Sequence, residues 1–437
     1  MSMSFKPLLL VVAAALASGQ DFDAYLAREA AAQRFSGAVL VARDGKPLFA
    51  KGYGMANREW DIPNTPDTKF RLGSISKMFA AAAVLKLEEA GKLKTSDPVC
   101  SFIENCPVVW TPITVHHLLT HSSGIWNFTN DPEYPKTWML PSRPLQTMQR
   151  FRDKPLQFAP GTQFRYSNSG YVLLAAIVEK ASSSKYEDYL KKTIFEPLGM
   201  SDTASDAWTP VLKKRASGYS RGWVNAPYHD MTIPLGGGDL YSTVHDLLKW
   251  DQALYGNTLL SDESKRKMWS IHRGDYGYGW VLGAWEGKPQ QAHGGGINGF
   301  STFLRRMPED RMLIVVLENA DFLNAGATAH VLTRLAYGLP EKAEFKEISV
   351  AAERLKDYVG VYQMEGTPVT NTITLKDGQL TTQLAGQQAF PLFPFAPEKF
   401  FLKVVDAQVE FERDAGGAVT ALYIIQGGGR TKAVRKQ

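Results

Sequence analysis

From Met78 to Leu85 the chain reads MFAAAAVL, eight apolar residues in a row. A helix over this stretch has no wet face and is expected to lie buried on all sides. Elsewhere the pattern is periodic. Residues 21–35 predict an amphipathic helix. SGAVLVARDGKPLFAKGYG (36–54) alternates, turns at Asp44-Gly45 and alternates again, which predicts a hairpin. Residues 112–210 predict mostly helical segments separated by Pro/Gly loops, among them FAPGTQFRYSNSG (158–170). Strand alternation returns in YGYGWVLGAWEGKPQQAHGGG (276–296). It continues in GFSTFLRRMPEDRMLIVVLEN (299–319), a hairpin around Pro308-Glu309-Asp310. A helix over about 322–338 closes this part.

Strands therefore lie at both ends of this region with helices between them. The economical arrangement is one antiparallel sheet built from both ends and flanked by helices, together with an all-helical region: an α+β domain over 20–345. After about 348 the texture changes. LKDYVGVYQM, TNTITLKDG, QLTTQLAGQ, EKFFLKV, QVEFERDAGG and VTALYIIQGGG are short alternating strands at eight-to-twelve-residue spacing. That predicts a small all-β barrel (lipocalin-like) over 346–437, with the boundary at 340–352.

Composition narrows the function classes. At 437 residues with 44% apolar positions the chain can bury a large core. A formal charge of +5 with no dense Lys/Arg block argues against a nucleic-acid partner. The first nineteen residues have the layout of a signal peptide: Lys6, an apolar run of about twelve residues, then small residues around Ala15-Leu16-Ala17. The expected location is outside the cytoplasm, secreted or periplasmic, with no membrane span in the mature chain. The only two cysteines, Cys100 and Cys106, then favour a short-loop disulfide, with two free thiols as the alternative.

The candidate chemistry starts just ahead of the apolar helix. Ser74 and Lys77 stand one turn apart. Burial of the helix would desolvate the ammonium, lower its pKa and make it a proton acceptor for the hydroxyl beside it. Unpaired N–H groups at a helix start favour developing negative charge. S-x-x-K also occurs at Ser182–Lys185 and Ser264–Lys267, but only the first precedes an apolar helix. Tyr166 and Asn168 are two apart in a loop after Pro160-Gly161, and Y-x-N recurs only at Tyr255–Asn257. A phenol near an ammonium can relay a proton, and a carboxamide can hold a substrate amide. His293 ends a strand ahead of Gly294-Gly295-Gly296, with His272-Arg273-Gly274 as a rival. The run 294–299 matches G-x-G-x-x-G, but a strand follows it rather than a helix, so a dinucleotide site is rejected.

Taken in order, S-x-x-K at a buried helix start, Y-x-N some ninety residues on and H-G-G between two strands resemble the penicillin-recognising serine hydrolases. TVHHLLTHSSGI (114–125), PLGMSDT (197–203) and GGGDLYSTVHDLLKW (236–250) add to the likeness, which covers about 21–338. The resemblance implies a β-lactamase-like fold and an acyl-enzyme on Ser74. It implies Lys77 as proton acceptor, Tyr166 as general base and then acid, and Asn168 as holder of the substrate amide. His293 would assist with a carboxylate or with protons. The N–H groups of Ser74 and Gly296 would form an oxyanion hole, with Gly295 and Gly296 among the substrate-binding residues. It implies D-alanyl-D-alanine carboxypeptidase or D-amino-acid peptidase activity first, with carboxylesterase or weak class C β-lactamase activity as the alternative. Class C enzymes carry Lys-Thr-Gly where this chain has His293-Gly294-Gly295, which counts against strong β-lactamase activity.

Substrates would be D-residue peptides, esters or β-lactams; no cofactor and no metal are expected. His117 and His121 could share a helix face, but H-E-x-x-H and a third ligand are lacking. An α/β-hydrolase with a nucleophile elbow is not favoured. A non-catalytic binding protein on the same fold is the reading from outside enzymology.

Overall fold

Strands from the two ends of the first region pair into one antiparallel sheet. They are β1 (Gly37–Arg43), β2 (Lys46–Tyr53), β3 (Val281–Trp285), β4 (Lys288–Ile297), β5 (Phe300–Met307) and β6 (Met312–Glu318), in the order β3-β4-β5-β6-β1-β2. This is a computed structural model, and it describes residues 19–365, 367–405, 407–426 and 429–436. The signal-peptide reading falls on residues 1–18, outside the described residues, with Gly19 opening the first helix.

The hinge of the topology is the β1–β6 pairing, which runs from Gly37↔Glu318 to Arg43↔Met312 and joins the two ends of this region. Every residue of β6 is buried, as are all of β1 but Arg43. Such continuous apolar runs suit central strands covered on both faces. The helices expected over 21–35 and 322–338 are observed as Gly19–Ala31 and Ala325–Ala336.

The apolar stretch forms α1 (Ser76–Glu89), buried at every position from Ser76 to Leu85. Alanine carries the highest helix propensity, and four in a row leave room for close neighbours. Gly91, at φ +66°, ends it in the left-handed conformation. Three further helices matter for the site: α2 (Val115–Leu119), α3 (Asn168–Ser182) and α4 (Val244–Ala253). Both α2 and α1 pack against α3, whose residues Ser169–Val178 are all buried. Residues 112–210 are less helical than expected. Pro132, Pro135, Pro141, Pro155 and Pro160 interrupt them, because a residue before proline avoids the α conformation. Cys100 and Cys106 are joined by a disulfide.

The chain divides into two compact units, Leu26–Ala329 and a second that comprises His330–Gln437 with the chain up to Tyr25. In the second unit Leu355 to Asp357 belong to a short helix, Ala352–Asp357, not to a strand. The strands are β7 (Gly360–Met364), β8 (Thr370–Lys376), β9 (Gln379–Leu384), β10 (Phe390–Pro391), β11 (Phe393–Ala396), β12 (Lys399–Phe401), β13 (Ala407–Arg413), β14 (Val419–Gln426) and β15 (Gly429–Arg435). Their order is β10-β9-β8-β7-β15-β14-β13-β12-β11. The two edge strands, β10 and β11, are separated by Leu392 alone, so the sheet curls into a nearly closed barrel. Tyr362, Ile373, Leu380, Leu392, Phe400, Val409 and Leu422 fill it.

In the first unit α4 is fastened to the sheet by a buried ion pair. Arg306 of β5 donates from Nε to Asp251 Oδ1 at 2.5 Å, with both side chains at most 1% exposed. Asp251→Ala is expected to destabilise by about 3–5 kcal/mol in urea unfolding, since it strands a buried guanidinium. Replacing both partners by apolar residues, Asp251→Leu with Arg306→Met, should cost far less.

Candidate active site

Ser74 lies in a single 3₁₀ turn, Gly73–Ile75, that runs straight into α1 at Ser76. Gly73 and Ile75 are buried while Ser74 is half-buried, so the turn presents one hydroxyl to the outside. The turn is pressed against β4. A Cβ on Gly73, which sits at φ +53°, would lie 2.8 Å from the backbone N of Gly296. A Cβ on Gly295 would lie 2.0 Å from the carbonyl oxygen of Leu72. Only glycine allows this approach at both places. Thr302 Oγ1 on β5 donates to the same Leu72 carbonyl at 2.7 Å and fixes the register. A Cβ on Gly296 would meet nothing within 4 Å, so this exposed residue borders open space beside Ser74.

Lys77 is fully buried. Its Nζ reaches Ser74 Oγ at 3.0 Å, Asn168 Oδ1 at 2.8 Å and the Gly237 carbonyl at 2.7 Å. Loss of hydration lowers its pKa to about 7, and the carboxylate of Asp239 works in the opposite direction. The partners suit the neutral amine. Its two N–H groups donate to the two carbonyl-type oxygens, and its lone pair is left for the Ser74 hydroxyl.

Tyr166 donates to Ser74 Oγ at 2.8 Å from the other side. Burial raises its pKa well above the usual phenol value, with the Ser74 contact pulling weakly the other way. The phenol therefore keeps its proton at neutral pH. Asn168, the first residue of α3, is tied by its backbone N–H to Asn127 Oδ1 at 3.0 Å. Its Nδ2 donates to Thr129 Oγ1 at 3.1 Å. One amide hydrogen of Asn168 stays available beyond these contacts.

His293 is 5% exposed on β4. Its Nδ1 donates to the Gly294 carbonyl at 2.6 Å, which leaves Nε2 to accept from the buried Tyr276 hydroxyl at 2.8 Å. Burial first, then the charge on Lys77, lower its pKa to about 4, so the ring is neutral and engaged on both nitrogens.

The structure thus gathers Ser74, Lys77, Tyr166 and Asn168 by direct contact. Gly295 and Gly296 abut the turn, and His293 stands one ring further back, 6.3 Å from Tyr166 between centroids. Several contributors escaped the sequence reading. Gly237 supplies a carbonyl to Lys77, and Asp239, buried with its pKa raised to about 7, holds that loop through Gly236 N and Ser205 Oγ. The GGGD run at 236–239 was the available signal. His121, 1% exposed, accepts from Ser167 N at 3.1 Å and packs 4.3 Å from the Tyr166 ring. The recurring motifs lie elsewhere: Ser264 binds Glu89, Lys267 binds Glu88, and Asn257 binds Lys265. His117 completes the capping box of α2, and His272 packs on Tyr278. Among the described residues no cluster of three or more His, Cys, Asp or Glu side chains could hold a metal ion. No helix among them is long and apolar enough to cross a membrane.

An antiparallel sheet with a helical region, and a serine gripped by a buried lysine and a tyrosine, define a serine hydrolase of the β-lactamase type. Residues 22–337 match the family described as Beta-lactamase, and the chain belongs to that family. Residues 345–427 match a family described as Domain of unknown function (DUF3471). The chain is 30% identical to penicillin-binding protein 4* of Bacillus subtilis, over 92% of this chain and 95% of that one. It is 30% identical to the esterase EstB of Burkholderia gladioli (67% and 88%), and 27% identical to the D-alanyl-D-alanine-carboxypeptidase/endopeptidase AmpH of Escherichia coli (63% and 77%). Among solved structures, the octameric penicillin-binding protein homologue from Pyrococcus abyssi superposes with a TM-score of 0.67 at 27% identity, covering 95% of this chain and 99% of that one.

Proposed function

We propose that the protein hydrolyses D-residue peptides through an acyl-enzyme on Ser74, as a D-alanyl-D-alanine carboxypeptidase-like enzyme or D-amino-acid peptidase. The observation that carries this reading is the Ser74 hydroxyl held between a fully buried amine and a protonated phenol. Neutral Lys77 takes the Ser74 proton as Oγ bonds to the substrate carbonyl carbon. The N–H groups of Ser74 and Gly296 stabilise the resulting oxyanion. Tyr166 then gives its proton to the leaving amine, the C–N bond breaks, and the Lys77 ammonium returns a proton to Tyr166. Water repeats the sequence on the ester and frees the acid. With its pKa raised, Tyr166 enters as the acid, so the first proton falls to Lys77.

The substrate class is supported by the names of the relatives, and the Cys100–Cys106 disulfide supports an oxidising, extracytoplasmic location. A carboxylesterase is the second reading. It is favoured by His293, which is neutral, engaged on both nitrogens and brings no charge to a substrate carboxylate.

A panel of D-Ala-D-Ala peptides, D-amino-acid amides, p-nitrophenyl esters and nitrocefin separates these readings, with D-residue substrates expected to give the highest kcat/KM. Ser74→Ala should lose on the order of 10⁴-fold or more, and Lys77→Ala nearly as much, since residues acting as one unit are not additive. Near-normal turnover in Lys77→Ala would remove its assignment as base. Activity needs the neutral amine, so kcat/KM is expected to rise with pH through about 7 and then level off. A profile flat between pH 5.5 and 8.5 would contradict the assignment.

A further inference from the structure

The cation that His293 does not provide is found where the same strand ends. A cavity of about 290 Å³ opens there, lined among others by Arg71, Arg215, Trp208, Tyr228, Asn298 and Phe300. Two of these residues tie it to the reacting serine. Arg71 stands three positions before Ser74, and Asn298 two positions after Gly296. The floor is set by Gly218, whose backbone lies directly against Gly299.

Its lining carries the cations and not the acids. Both guanidiniums converge on Asp206: Arg71 Nε donates to Oδ2 at 2.8 Å, and Arg215 donates to Oδ1 at 2.6 Å and to the Ala207 carbonyl at 2.8 Å. The Asp206 side chain is 1% exposed, against 16% for Arg71 and 28% for Arg215. The carboxylate is thus behind the wall while the two cations form it, and no acid is among the described lining residues. Two guanidiniums thus line the cavity, whereas the nearest carboxylates, Asp206, Asp230 behind the Tyr228 hydroxyl and Glu59 beyond Asn225, reach it only through other side chains. The arrangement is not self-satisfied either, because Arg215 Nε is buried with no hydrogen-bond partner among the described residues. Around these charges stand ring faces. Trp208, 73% exposed at the rim, meets Tyr228 edge-on at 5.3 Å, and Phe300 closes the inner side.

We infer that this cavity is an anion subsite that selects substrates carrying a carboxylate on the acyl part, beyond the carbonyl that Ser74 attacks. Guanidiniums preset by a buried carboxylate offer carboxylates directed, charge-assisted hydrogen bonds with little side-chain entropy left to lose. Aromatic walls accept the methylene chain that leads to the charge. The inference rests on Ser74 being the acylated residue, and it adds the substrate feature that the third motif leaves undefined.

The test compares two p-nitrophenyl esters of equal chain length, the hexanoate and the monoester of adipic acid, which differ only by a terminal carboxylate. Wild-type enzyme is expected to prefer the adipate in kcat/KM, with the preference shrinking as salt rises from 0.05 to 0.5 M. Arg215→Gln and Arg71→Gln should each lower the adipate-to-hexanoate ratio about tenfold or more, the loss of one charge-assisted hydrogen bond. Arg215→Lys should keep part of the preference. The hexanoate rate reports on acylation alone and should stay near wild type in all three. Should a variant fail to fold, the salt dependence of the wild-type ratio decides. Equal or inverted wild-type preference at low salt, or a ratio unmoved in both glutamine variants, overturns the subsite. Hexanoate turnover that persists undiminished in Ser74→Ala would instead sink the acyl-enzyme reading.

Discussion

The site depends on placing an amine where water cannot reach it. Lys77 is followed by eight apolar residues, so its helix is buried and its side chain is held inside a shell of protein groups. Burying an isolated charge costs several kcal/mol even after relaxation. The fold lowers that cost in two ways. It supplies three oxygen partners, from the turn of Ser74, from α3 and from the Gly237 loop, and it lets the group lose its proton near neutrality. Those partners come from three separate parts of the sequence, so the environment of Lys77 exists only when these parts of the first unit are assembled.

The rigid elements answer to the same demand. The Ser74 turn must sit close to β4 if Gly296 is to face the same space, which explains the paired glycines at Gly73 and Gly295 and the Thr302 bond to Leu72. The β1–β6 pairing and the Arg306–Asp251 bond keep β5, and with it β4, from shifting relative to the helices. His293 lends shape and neutrality. Its ring is closed on Tyr276 and Gly294 and brings no charge to the site.

Much of this was legible in the sequence because the signals were local. An unbroken apolar run announced α1, the Asp44-Gly45 turn announced the first hairpin, and alternation on either side of 308–310 announced the second. The likeness to the penicillin-recognising hydrolases brought Ser74, Lys77, Tyr166 and Asn168 together before any coordinates did. What escaped was non-local or lacked a pattern. The Gly237 carbonyl is backbone, and no side chain advertises it. Strand β15, GRTKAVR, buries only Ala433 and alternates too weakly to be recognised, yet it joins β7 to β14. Strands β10 and β11 flank Leu392 and are too short for periodicity to register. Pairing of Arg71 with Arg215 around Asp206 spans 144 positions, which no spacing rule reaches.

The most direct test is to titrate the amine itself. With ¹³Cε-labelled lysine, the resonance absent from the spectrum of Lys77→Arg identifies Lys77, and its chemical shift is followed from pH 5 to 11. A midpoint near 7 is expected, so that the group is largely neutral above it. A midpoint near the ordinary lysine value of about 10.4 would mean an amine that stays charged at working pH, and would contradict Lys77 as the group that deprotonates Ser74.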